Sequence, residues 1–231
     1  MKVKNIFLVF IFLTISLTAL KSQRKLLITS ETGIKYVAIG DSYTIGLGVS
    51  EENRWPNILA NHLKGEGVNI NLVANPSVVG YTVRDAIEFE LPIVEKIKPD
   101  FVTVLIGAND NFSLTGVEIY HQELIELLDK LQPMLTNSKN VVLITIPDYT
   151  KSAAFGEYQR NGVLKLIEDY NQAIKEEANN RGLKVVDIFP ISQTMIRGED
   201  YVTDGLHPSA ESYAKWEKVI FPIVFDFLKK K

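Results

Sequence analysis

Ser42 stands just past the apolar run Tyr36-Val37-Ala38-Ile39 and the pair Gly40-Asp41, so a short buried strand delivers it into a turn. In an open α/β sheet, that rim is where ligands bind. A serine hydroxyl is a weak nucleophile at neutral pH and needs an adjacent base, a role open to His207. Asp204 precedes His207 by three residues, close enough in a tight turn to accept the second imidazole N–H. An oxyanion formed at Ser42 needs preorganised donors. The backbone N–H groups of Ser42 and Gly80 and the side-chain amide of Asn109 are candidates. Together these residues suit acyl transfer. Asp41-Ser42 also has a plainer reading, because both residue types are good helix N-caps, and this stretch alone leaves the two readings open.

Whether the groups can meet depends on the elements that carry them. Strands are expected at residues 35–39, 70–74, 101–106, 141–146 and 184–188. The third is apolar on both faces, as a central parallel strand must be. Between them the period lengthens to that of helices. One opens at Trp55-Pro56 and ends at Gly65-Glu66-Gly67; others are expected over residues 82–98, 118–131 and 163–180. A last helix is expected from near Pro208 to about Leu228. Five alternations without repeats or a linker predict one domain, a three-layer α/β/α sandwich on a five-stranded parallel sheet. With strand order 2-1-3-4-5 the switch point falls between the first and third strands. Ser42, Gly80 and Asn109 then follow the first three strands, whose ends point the same way, and the Asp204–His207 loop can reach the same rim.

In order along the chain, Gly40-Asp41-Ser42-Tyr43, Gly80, Gly107-Ala108-Asn109-Asp110 and Asp204-Gly205-Leu206-His207-Pro208 resemble the four blocks of the SGNH (GDSL-type) hydrolases. The resemblance covers residues 35–215. It implies a flavodoxin-like fold and an esterase or acylhydrolase with Ser42 as nucleophile, His207 as base and Asp204 as its partner. It likewise implies an oxyanion hole of Ser42, Gly80 and Asn109, and no metal or other cofactor. One departure is Tyr43, where the family motif often has leucine, with an effect expected on the pocket wall and not on the chemistry.

Composition sets outer limits. The 231 residues are 46% hydrophobic and 23% charged, and contain no cysteine. Thiol catalysis, disulfides and thiolate metal sites are therefore excluded. Lys2 and Lys4 precede the uncharged, mostly apolar run from Asn5 to Leu20, which reads as a secretory signal over residues 1–22, with cleavage after Ala19 or Ser22. Residues 23–231 would form the domain, exported to the periplasm or the exterior. The alternative is a membrane tether through the uncleaved segment. Loss of Lys2, Lys4 and Lys21 would leave 22 basic against 28 acidic side chains, which argues against nucleic acid or an anionic membrane as partner.

Other features fit simpler roles. Gly46-Leu47-Gly48 lacks the third glycine of a dinucleotide loop and the Gly-Lys-Ser/Thr of a P-loop. No Gly-x-Ser-x-Gly surrounds Ser42, unlike an ordinary α/β-hydrolase elbow. His62 and His121 fall in or beside helical patterns without metal spacing, and Asp110 is expected to brace the Asn109 loop. Substrate contacts are expected from Tyr43, Tyr81, Asp148, Tyr149 and Phe155, with specificity set in the loops 147–158 and 190–203; Asp148 also reads as a turn or cap residue. The expected activity is hydrolysis of a short-acyl or glycan-linked ester through an acyl-enzyme. A lysophospholipase or thioesterase acting on long chains is the alternative, and would need an exposed apolar groove. A carbohydrate-binding module without catalysis is the alternative of another class, distinguished by failure of Ser42 to react with a fluorophosphonate.

Overall fold

The computed structural model describes residues 33–113, 115–153 and 157–229. The segment 1–22 and Phe155 lie outside the described residues.

Strand β1 (Ile34–Gly40) is followed by a short helix α1 (Ser42–Ile45), helix α2 (Trp55–Gly65) and strand β2 (Ile70–Ala74). Helix α3 (residues 83–97) leads to β3 (Phe101–Leu105), and α4 (Ala108–Phe112) and α5 (Val117–Leu131) lead to β4 (Val141–Ile144). Helix α6 (Glu157–Arg181), β5 (Lys184–Val186), α7 (Phe189–Ser192) and α8 (Ala210–Lys229) complete the chain. The sheet order is β2-β1-β3-β4-β5, with every pairing parallel, as the alternation predicts.

Handedness places the layers. The path from β1 to β2 runs one way along the sheet and every later crossover runs the other way. Right-handed crossovers therefore put α2 on one face and α3, α5 and α6 on the opposite face. Contacts agree: α2 packs on α8, while α5 packs on α3 and α6. Every residue of β3 is buried, as its place in the middle of the sheet requires.

Helix α3 begins with a capping box, Thr82 with Asp85, which satisfies two of its free N-terminal N–H groups. It is not uniform. Residues Ala86–Glu90 form a π-turn between α-helical Val83–Asp85 and Leu91–Ile97. Three strands end sooner than their apolar runs, β3 by one residue and β4 and β5 by two. Beyond β4, the Ile146 N–H is taken at 2.7 Å by the side chain of Asn171, which donates back to Ile146 C=O at 2.9 Å. Beyond β5, Ile188 N–H donates to Thr145 Oγ1 at 2.9 Å. Helix α6 starts six residues earlier than its apolar period, continuing through Gly162. Among the described residues, no helix is long and apolar enough to cross a membrane.

Candidate active site

β1 and β3 are neighbours whose onward connections run in opposite directions, and the crevice beyond their carboxyl ends holds the site. At the end of β1 the backbone is tightly enclosed. A Cβ on Gly40 would come within 2.2 Å of Thr44 Oγ1 and 2.3 Å of the Leu105 carbonyl oxygen, so only glycine fits. Asp41 then caps α1, its Oδ1 accepting from Tyr43 N–H at 2.9 Å, and Ser42 is the first helical residue. The cap reading and the nucleophile reading of this stretch are thus compatible: the cap fixes the serine.

After β2, a turn closed by Tyr81 N–H on Val78 C=O presents Gly80 with φ of 88°, a left-handed conformation that favours glycine. Asn75 reaches across from this loop to the Thr44 carbonyl at 2.8 Å. After β3, Asn109 on α4 donates to the Tyr81 carbonyl at 2.9 Å. Asp110 braces this arrangement as expected, both carboxyl oxygens accepting from Val83 N–H at 3.2 Å.

The fourth loop folds on itself before α8. Val202 N–H bonds to His207 C=O at 2.8 Å and Tyr201 bridges to Pro208. Asp204 Oδ1 accepts from the N–H groups of Leu206 at 2.8 Å and His207 at 3.0 Å. Its Oδ2 lies 2.6 Å from His207 Nδ1, and His207 Nε2 lies 2.8 Å from Ser42 Oγ. With Nδ1–H donating to Asp204, Nε2 is left to accept the serine proton. Burial pushes the Asp204 carboxyl up, but the hydrogen bonds from His207 and Leu206 outweigh it and hold it below its ordinary value. It stays an anion beside the imidazole. Such a chain can move a proton from Ser42 to His207 and stabilise the imidazolium that results.

Ser42, Gly80, Asn109 and His207 share the wall of a cleft of about 280 Å³, and Val79, Ala108, Phe112 and Leu206 give it an apolar side. Next in sequence to Ser42 and Asn109 are two buried carboxyls, those of Asp41 and Asp110. Burial raises Asp41 to about 7, against the Tyr43 N–H that lowers it and with Asp110 raising it further. Asp110 is likewise raised by burial to about 7.

A family model for the GDSL-like lipase/acylhydrolase family matches residues 38–215, most of the chain. This chain belongs to the GDSL-like lipase/acylhydrolase family. It is an ester hydrolase. An arylesterase from Vibrio mimicus is 22% identical over 186 residues, which are 79% of this chain and 84% of the relative. The esterase EstA from Pseudoalteromonas sp. superposes with a TM-score of 0.68 at 18% identity, over 84% of this chain and 98% of that one. A catalytic mutant of an acetylxylan esterase from Geobacillus stearothermophilus gives 0.67 at 19% identity, over 83% and 94%.

Within this GDSL-type site, the expected substrate contacts divide. Tyr43 lines the cleft but is almost wholly buried, its ring 5.5 Å from that of His207 and 5.9 Å from that of Trp216. Tyr81, Asp148 and Tyr149 are not in the cleft wall. Tyr81 contributes its carbonyl to Asn109 and sets its ring 5.7 Å from Phe89. Asp148 caps the turn Tyr149–Lys151, accepting from Thr150 N–H at 3.1 Å. Tyr149 stacks on Phe112 with ring centroids 4.8 Å apart. The expected specificity loops 147–158 and 190–203 supply no cleft residue among those described; the wall comes from residues adjoining the polar site groups themselves. His62 stacks on Phe221 and bonds Glu217 Oε1 at 2.8 Å, and His121 faces Glu177 at 3.5 Å, both away from the cleft.

Two residues that sequence reading passed over support the site. Asp200 accepts from Ile196 N–H at 2.8 Å, Ser212 Oγ at 3.0 Å and Lys215 Nζ at 2.6 Å, tying the start of the histidine loop to α8. Glu90 accepts from Gly40 N–H at 3.1 Å.

Proposed function

We propose that this protein is a serine esterase that hydrolyses carboxylic esters through an acyl-enzyme. The observation that carries this reading is the unbroken line from Asp204 through His207 to Ser42 Oγ, 2.6 Å and then 2.8 Å, opening on the cleft. Ser42 Oγ attacks the ester carbonyl carbon as its proton passes to His207 Nε2, and the carbonyl oxygen becomes an oxyanion among Ser42 N–H, Gly80 N–H and Asn109 Nδ2. Collapse breaks the bond to the alkoxide, which leaves with the proton from His207. Water, deprotonated by the same imidazole, then attacks the acyl-serine and releases the carboxylic acid.

The substrate reading is a small-molecule or glycan ester with a short acyl or aryl group, in keeping with an arylesterase and an acetylxylan esterase among the relatives. A specific observation favours a second reading, long acyl chains. Val79 and Phe112, both in the cleft wall, are about half exposed, and Val78 beside them is also exposed. Residues 1–22 would export the protein or tether it.

The test is hydrolysis of p-nitrophenyl esters from acetate to palmitate, with Ser42→Ala as control. Turnover confined to short chains and lost in Ser42→Ala is the expected result. A maximum at long chains would select the second reading. Equal turnover by Ser42→Ala would refute the serine mechanism.

A further inference from the structure

We propose that Glu90 is a positioning residue for the nucleophile, its buried carboxyl fixing the Gly40-Asp41-Ser42 turn through the Gly40 N–H. The inference rests on the reading of Ser42 as nucleophile. Gly40 is the point where that turn leaves the sheet, in register with Leu105 of β3. The backbone there is closely enclosed, because Thr44 and the Leu105 carbonyl leave no room even for a Cβ. A displacement there is passed to Ser42 two residues on.

Glu90 reaches Gly40 across 50 residues of sequence, accepting its N–H through Oε2 at 3.1 Å. It does so from the last position of the π-turn Ala86–Glu90. A π-turn is rare, and such widened turns gather at functional sites. The side chain has no exposure, and among the described residues its other oxygen, Oε1, is buried without a hydrogen-bond partner. For stability alone this is a poor arrangement, since a carboxyl so placed loses its hydration for a single bond.

The electrostatics suit the position. The charged groups that bear on Glu90 are Asp41 on the nucleophile turn and Asp85 on α3, both acidic, and Asp110 bears on Asp41 in turn. Burial first, then Asp41 and Asp85, raise Glu90 to about 8 against the Gly40 N–H that lowers it. Burial and its acidic neighbours thus bias Glu90 toward the neutral, protonated form. Its ionisation would add a negative charge close to Asp41, the residue before Ser42.

The experiment measures kcat and KM on p-nitrophenyl acetate for wild type, Glu90→Leu and Glu90→Gln from about pH 6 to about pH 10, with thermal melts to report folding. Glu90→Leu, which leaves Gly40 N–H without its acceptor, should lower kcat about tenfold to a hundredfold with little change in KM. Glu90→Gln keeps a neutral acceptor; it should restore kcat at neutral pH and carry activity further into the alkaline range. A folded Glu90→Leu with wild-type kcat would overturn the proposal. If that variant does not fold, Glu90→Asp, whose carboxyl falls short of the Gly40 N–H by one methylene, takes its place, and a folded Glu90→Asp with wild-type kcat overturns the proposal instead. Turnover surviving in Ser42→Ala, run alongside, is a different failure and strikes the nucleophile reading.

Discussion

The side-chain amide of Asn109 donates to the carbonyl of Tyr81 at 2.9 Å, tying the helix after β3 to the turn that carries Gly80. One amide proton is thereby committed. The same nitrogen lies 3.5 Å from Asp41 Oδ2, too long for a firm bond, and under the proposed mechanism its remaining proton is the one that turns to the oxyanion. Asn109→Ala removes the donor and unties the Gly80 turn together. We expect kcat to fall by about 10²- to 10³-fold with KM nearly unchanged, read from steady-state kinetics.

Asp204 serves two tasks with two oxygens. Oδ1 holds the turn through Leu206 and His207 N–H, and Oδ2 orients the imidazole. Asp204→Asn can keep the first bond pair but offers an N–H where Nδ1–H needs an acceptor. The ring would then carry its proton on the nitrogen facing Ser42. A fall in kcat of about 10⁴-fold in a normally folded protein is expected. Adding Asp204→Asn to His207→Ala should cost almost nothing further, because the two act as a unit.

The buried carboxyls make stability depend on pH in an unusual direction. Asp41, Glu90 and Asp110 stand at about 7, 8 and 7 in the folded protein, all raised chiefly by burial. In the unfolded chain they titrate near about 4. Between these limits the native state binds more protons than the unfolded state, so stability falls as pH rises. Below that window both states are protonated and the cost vanishes; above it the cost is complete. Asp204, lowered in the fold, acts oppositely, losing its contribution only as pH drops through its own depressed value. Thermal melts from about pH 5 to about pH 9 should show a declining Tm, and Glu90→Gln should flatten that decline. A Tm that rises over this range would show that these groups are charged in the folded protein.

The site was legible where chemistry and backbone geometry demand the same residue. Ser42, Gly80, Asn109 and His207 each sit directly after a strand or in a tight loop, so strand counting alone converges the first three. Parallel pairing followed because helix-length connections separate the apolar runs, whereas the order 2-1-3-4-5 was one of several that right-handed crossovers allow, and it is the one observed. Glu90 was hidden because residues 82–98 read as one amphipathic helix, in which its phase carried no message. A signal did exist: Pro92, inside that pattern, removes an N–H and crowds the preceding turn, and the π-turn lies just there. The cleft wall was placed only in part: Tyr43 lines it, but aromatic residues in later loops drew attention from Val79, Ala108, Phe112 and Leu206, which adjoin the polar groups in sequence. Asp200 carried no signal of its own in the sequence, since nothing local marks the partners that α8 brings to it.

Asp200 governs where the histidine loop begins. Besides its carboxylate bonds, its carbonyl accepts from Ser209 N–H at 2.9 Å and Ser212 Oγ at 2.9 Å, so one residue joins both ends of the loop to α8. Burial raises its carboxyl, but Lys215, Ile196 N–H and Ser212 together outweigh that and hold it below its ordinary value. Asp200→Ala keeps the backbone bonds and leaves Ile196 N–H and the Ser212 hydroxyl short of a carboxylate partner, a loss of about 1–3 kcal/mol. The Lys215 ammonium is half exposed and can turn to water, so Lys215→Met should cost well under about 1 kcal/mol. Because His207 lies seven residues beyond Asp200, a loosened loop should also widen the spread of His207–Ser42 distances. Fluorophosphonate labelling of Ser42 should therefore slow about tenfold in Asp200→Ala and stay near wild type in Lys215→Met. Equal slowing in both variants would mean that the Lys215 ion pair, and not the bonds to Ile196 and Ser212, holds the loop in place.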